Sequence, residues 1–156
     1  MAILRQSIFD EVESRFKTIT IANGYRTDLG NHVLKWREVS TITVPELPAV
    51  SIGDTQEEPE IANVTRTAAH KRTLTITYSL LNTGTDTESI ITYIRKMQAD
   101  IEDAIREDDK WNGNALWTRP KGNQMGFDDK PTSSLVGILT GSFEIIYLTE
   151  LFNSEN

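Results

Sequence analysis

Neighbouring carboxylates are the first residues in this chain whose type and spacing could support chemistry. Asp108 adjoins Asp109, Asp128 adjoins Asp129, and Asp54, Glu57, Glu58 and Glu60 form a looser acidic set. A pair of acids flanking a substrate can split a glycosidic bond, and hard cations such as calcium take carboxylate oxygens. The spacing favours neither use. The acidic set lacks the alternate-position ligands and central glycine of an EF-hand loop, and adjacent acids in turns are ordinary solvated surface. His32 and His70 lie far apart, and neither belongs to a His-Glu-x-x-His helix, so both read as surface or hydrogen-bonded residues. Ser142 follows Gly141 but sits in a strand pattern without the second glycine of a nucleophile elbow. No Gly-x-x-x-x-Gly-Lys-Ser/Thr loop and no Gly-x-Gly-x-x-Gly after a strand is present. Trp36, Trp111 and Trp117 lack the basic groove that accompanies aromatic stacking on bases, which leaves them as core or interface anchors. The expectation is therefore no catalytic residue, no metal, no cofactor and no enzymatic activity.

Composition points the same way. Sixteen Lys and Arg against 23 Asp and Glu give a net charge of −7, opposite in sign to what phosphate binding needs, so direct DNA binding is disfavoured. Cysteine is absent, which removes disulfides and thiolate zinc ligands. The longest apolar runs span only a few residues, and charge appears early in Met1 to Glu11, so neither a membrane span nor an export signal is expected. A chain of 156 residues, 38% hydrophobic and 25% charged, fits one globular domain, read here as 1–152 with a frayed tail at 153–156.

The elements that would position these residues follow from periodicity. Leu4, Ile8, Val12, Phe16 and Ile19 recur at helical spacing, predicting an amphipathic helix from Ile3 to about Ile19. Leu34 and Trp36 alternate with Lys35 and Arg37, predicting a strand between Asn31 and Val39. Pro45 and Pro48 bracket Ala49 to Ile52, a piece suited to an edge or a strand start. Lys71 to Asn82 alternates Leu74, Ile76, Tyr78 and Leu80 with hydroxyl residues, the pattern of a strand wet on one face. Thr85 and Glu88 have capping-box spacing ahead of the stripe Ile90, Ile94, Met97, Ile101 and Ile105, predicting a helix from about Asp86 to Glu107. Ala115 to Thr118 reads as a short strand stopped by Pro120, Lys121 to Ser134 as loop, and Ser133 to Leu148 as a central strand with bends at Gly137 and Gly141. The fold class is α+β: an antiparallel (mixed) β-sheet of about four to five strands with two long helices packed on one face. The other face, with Thr73, Thr75, Thr77, Val136, Ile138 and Ile146, would then need cover from a partner.

The stretch 53–70 has no clear period, and reads as a long functional connection, an extended hairpin or disorder. Acids Asp54, Glu57, Glu58 and Glu60 precede bases Arg66, Lys71 and Arg72. These seven are the candidate subunit-interface residues. In a hairpin they would pair internally; projecting outward, acid on one subunit would meet base on the next, a head-to-tail contact that closes into a ring.

The order and spacing of these features resemble the tail terminator family of long-tailed bacteriophages, also called minor tail or tail completion proteins. The resemblance spans nearly the whole chain: the opening helix, Gly24-Tyr25-Arg26-Thr27-Asp28, Leu47-Pro48-Ala49-Val50, the strand Leu74 to Leu80, the isoleucine-striped helix, Trp111-Asn112-Gly113, and Phe143-Glu144-Ile145-Ile146-Tyr147. It implies a structural virion protein without catalysis. Such a protein forms a homohexameric ring on the tail tube, ends tube polymerisation, and offers an interface to the head-tail connector or neck protein. DNA would only pass through the lumen, which an acidic ring suits. The location implied is the neck-proximal end of the virion tail after synthesis in the host bacterial cytoplasm. The alternatives are a neck or head-completion protein or another tail subunit, and, in another class, a small enzyme or carbohydrate-binding module. A pocket joining a tryptophan to a buried carboxylate would favour that last reading.

Overall fold

The computed structural model describes residues 3–60, 69–128 and 135–150. Helix α1, Leu4–Lys17, buries Ile8, Phe9, Val12 and Phe16 along one face. It ends at Thr18, whose backbone N–H donates to the Arg15 carbonyl, followed by the Ile19 N–H donating to that of Phe16. Helix α2, Thr87–Glu107, buries Ile90, Ile94, Met97, Ile101 and Ala104. Its cap is Asp86, whose carboxylate accepts the N–H groups of Glu88 and Ser89, and not the Thr85 box expected from spacing. An aspartate one residue nearer the helix offers two acceptors to the same unpaired donors.

Five strands form one mixed sheet: β1 Val33–Lys35, β2 Ala49–Glu60, β3 Ala69–Gly84, β4 Trp117–Asp128 and β5 Leu135–Glu150, in the order β1-β2-β3-β5-β4. All neighbours are antiparallel except β1 with β2. Both helices cover one face, where Leu74, Ile76, Tyr78 and Leu80 of β3 meet Leu139, Phe143, Ile145 and Tyr147 of β5 in the main core. The α+β architecture is thus the one expected, with β5 inside the sheet as read.

Several boundaries differ from expectation. Of the readings offered for 53–70, the described residues follow the extended hairpin: Gly53 to Glu60 is the second half of β2, paired antiparallel with β3 as far as Glu60 opposite Lys71. Lys121 to Asp128 is likewise strand. β4 passes through Pro120 by shifting register between Pro120 and Gly122, and its position at the sheet edge spares the proline a lost ladder bond. No bulge interrupts the pairing at Gly137 or Gly141, where β3 and β5 stay in continuous register. These glycines serve close approach instead. A Cβ at Gly137 would stand 2.5 Å from Cγ2 of Ile90, and one at Gly141 would stand 2.5 Å from the Tyr78 hydroxyl oxygen.

The outer sheet face is partly closed by the chain itself. Short 3₁₀ turns at Val39–Thr41 and Val44–Glu46 carry Ile42, Val39, Val44 and Leu47 onto Leu81, Val136 and Ile138, making a second core. Ile146 and Thr75 are buried as well, at 3% and 6% exposure, which corrects the expectation that these two, Val136 and Ile138 wait for a partner. The tail read at 153–156, Arg66 and Asp129 lie outside the described residues. Among the described residues no helix is long and apolar enough to cross a membrane.

Candidate functional site

The side chains proposed from sequence for a subunit interface do not form one patch, because the period-two geometry of β2 and β3 divides them between faces. Asp54, Glu57 and Arg72 turn toward the helix side. Glu57 is bound there from three directions: Arg72 at 3.2 Å, Arg5 at 3.1 Å, and the Tyr147 hydroxyl, which donates to it. Burial first, and then the bond to Glu57, push the Tyr147 phenol above its ordinary value. Asp54 is held above the usual carboxylate range by burial, opposed by a backbone hydrogen bond and reinforced by the charge of Glu57. Thus the acid and base of the hairpin pair internally at Glu57 and Arg72. Arg5, which sequence gave no reason to place there, completes the cluster from α1.

Glu58 and Lys71 are exposed on the outer face. Gln56 donates to Glu58, and the Lys71 ammonium lies 5.2 Å from the Trp117 ring centre. Glu60 ends β2 opposite Lys71, while Arg66 is outside the described residues.

The tryptophans also part company. Trp111 is fully buried, stacks on Phe143 with centroids 6.1 Å apart, lies under the Arg15 guanidinium, and donates its indole N–H to Thr118 at 2.7 Å. It anchors the core. Trp36 follows β1 with a left-handed backbone, φ 62°, which breaks the expected alternation with Leu34 and turns its ring onto Phe9 at 4.6 Å. Its side chain is 55% exposed beside Gly53 of β2. Trp117, 39% exposed, starts β4 on the outer face.

Chain neighbours excepted, the other acids and histidines singled out from sequence stand apart from one another where they are described. Asp108 accepts the N–H groups of Lys110 and Asn112, and Asn112 together with the Lys110 donor and Arg15 holds its carboxyl below the usual range. It shapes the Trp111-Asn112-Gly113 turn, whose three residues all have positive φ. His32 is exposed and His70 buried. Ser142 shares a hydroxyl contact with Thr77 at 3.2 Å across the outer face. Among the described residues no group of three His, Cys, Asp or Glu side chains comes together to hold a metal ion.

One cleft of ≈660 Å³ opens between the second half of α2 and β4, bordered by Tyr78, Gln98, Glu102, Arg106, Arg119 and Asn123. Burial and the charge of Glu102 raise the Tyr78 phenol. No tryptophan lines it.

What the sheet offers most conspicuously is backbone. Among the described residues, no strand pairs with the outer edge of β2 beyond its stretch against β1, which ends at Ile52, and none pairs with the outer edge of β4. The open edge is Gly53–Glu60 on β2 and the whole of Trp117–Asp128 on β4, with exposed side chains that include Phe127 at 45%. Such edges present unsatisfied N–H and C=O groups ready to pair with another chain. The sequence concealed them, because Gly122 and Gly126 read as loop although Met125 and Phe127 keep strand alternation. Comparison with known proteins gives no match, neither to a family model nor to a curated protein.

Proposed function

We propose that this chain is a structural assembly protein of the tail-terminator type, acting by forming a ring that caps a phage tail tube, ends its polymerisation and presents a face to the head connector. The observation that carries the reading is the pair of long open sheet edges, one on each side of the same sheet. A subunit with two different adhesive edges joins its copies head to tail, and such contacts close into rings when the rotation per subunit divides a full turn. The resemblance in element order supplies the location, and the net charge of −7 suits a ring that DNA crosses without sticking. The partners are other copies, the tail tube protein and the connector or neck protein, in the virion tail.

A neck or head-completion protein would use the same physics and differs in which structure it caps. An enzyme or carbohydrate-binding module has one feature in its favour, the cleft beside α2, but that cleft joins no tryptophan to a buried carboxylate. The deciding experiment adds purified protein to growing tail tubes. Capping at one end with arrested growth is expected; tubes that grow on unaffected contradict the reading.

A further inference from the structure

The two open edges differ in charge, run in opposite directions and match in outline. The free part of β2 carries the exposed acid Glu58, with Asp54 turned to the helix side and Glu60 at its end, whereas the facing part of β4 carries Lys121 and Arg119, whose guanidinium bonds Glu144 of the same subunit at 2.9 Å. β2 is antiparallel to β3, β3 to β5 and β5 to β4, so β2 and β4 point opposite ways. A second copy shifted sideways along the sheet, without turning over, therefore brings its β4 antiparallel to the free part of β2.

The ladder also fixes what meets what. Following paired residues across the sheet, Glu58 is level with Thr73, Ile146 and Trp117, and Gln56 is level with Thr75, Glu144 and Arg119. Each of these pairs shares the outer face, as residues directly opposite in a continued sheet must. β1 covers β2 only as far as Ile52, which is level with Tyr78, Gly141 and Asn123. The register shift of β4 between Pro120 and Gly122 lies beside that row. The step where β1 stops on one edge and the bulge on the other edge thus fall at the same height, so β4 can bend around β1 where the open stretch begins. Trp36, exposed at that step, is placed to pack against the incoming strand.

We infer that neighbouring copies join by adding the Trp117–Gly122 half of β4 to the Gly53–Glu60 half of β2, continuing the sheet antiparallel from one subunit to the next. This rests on the ring reading above and specifies its contact. Pro59 and Pro120 lie within these halves and have no N–H, so a shared ladder forgoes their donors, and together with the register shifts at Asp54/Gln56 and Pro120/Gly122 and the charges they guard the edges against indiscriminate pairing. Here the charges have opposite sign on the two edges, which discourages like-with-like pairing and favours unlike.

Cysteine crosslinking tests it without background, because the chain contains none. Adjacent strands lie about 4.8 Å apart, within the Cα separation of about 4.4–6.8 Å that a disulfide needs. Gln56→Cys combined with Arg119→Cys in one chain, mildly oxidised, is expected to give a ladder of covalent multimers that consumes most of the protein. The neighbouring row, Glu58→Cys with Trp117→Cys, should do the same. Either substitution alone, or Gln56→Cys with the off-register Gln124→Cys, should leave monomers after denaturation. These positions are exposed, and an unchanged melting temperature in each variant verifies folding. Dimers from Arg119→Cys alone would show two β4 edges meeting about a two-fold axis and overturn the inference. Rings seen by electron microscopy without crosslinks would overturn it while leaving the ring reading in place, and a monomer at every concentration would also overturn it. Crosslinked rings that fail to cap tubes would uphold this contact and sink the terminator reading.

Discussion

Asp100 is the most heavily committed carboxylate in the chain. It is fully buried on α2 and accepts four hydrogen bonds: the backbone N–H and guanidinium of Arg26 at 3.1 Å each, and the N–H and hydroxyl of Thr27 at 2.9 and 2.7 Å. The Gly24 to Asp28 turn is thereby fastened across the top of the helix layer. Replacing Asp100 by Asn swaps one acceptor oxygen for an NH₂ group facing donors, so Asp100→Asn should destabilise the fold by roughly 2–3 kcal/mol in a urea melt. Sequence showed both partners but not the bond, since Asp100 looks like one more helix-surface acid until α2 is set against the turn.

Exposed carboxylates set the response to acid. Side-chain and backbone bonds from Ser89, together with the Glu88 N–H, depress Asp86, and Asn112 chiefly depresses Asp108. Their folded values lie below the unfolded ones, so their stabilisation is complete above the unfolded value of about 4 and is lost as pH falls through the folded values. Melting temperature should therefore fall as pH drops below about 4, and Asp86→Asn combined with Asp108→Asn should flatten that slope. An unchanged slope in the double variant would mean that neither carboxylate is bonded as described.

At the scale of elements, helix and sheet meet without spare room. Gly137 lies beneath Ile90 and Ile94, where a Cβ would come within 2.5 and 2.9 Å of their side chains. Gly137→Ala should cost about 1–3 kcal/mol by forcing α2 off the sheet, read as a lower denaturation midpoint with the slope unchanged. Ile94→Asp or Ile101→Asp sets an unpaired charge into the fully buried stripe and should abolish folding; a wild-type melting temperature in either would mean the stripe faces elsewhere. Both long helices and the strands β3 and β5 were legible because their apolar residues keep one period throughout. β2 beyond Ile52 and β4 beyond Pro120 were not. Acids occupy one strand and glycines with a proline the other, since an edge needs little apolar surface and tolerates both. The interface residues drawn from sequence were therefore grouped by proximity along the chain, whereas pairing sends Glu57 and Arg72 to one face and Glu58 and Lys71 to the other.

For the whole molecule, the arrangement amounts to a sheet sealed by helices on one face, half closed by its own 3₁₀ turns on the other and, among the described residues, without a pairing strand along β4 and along β2 beyond Ile52. Backbone donors and acceptors along those stretches are available to another strand, and in the reading proposed above further copies supply it. If the proposed role in ending tail-tube growth holds, tail length is where it becomes visible. Electron microscopy of tails assembled in infections lacking this protein measures it directly. The account predicts tubes longer than normal and not joined to heads; tails of ordinary length attached to capsids would contradict it.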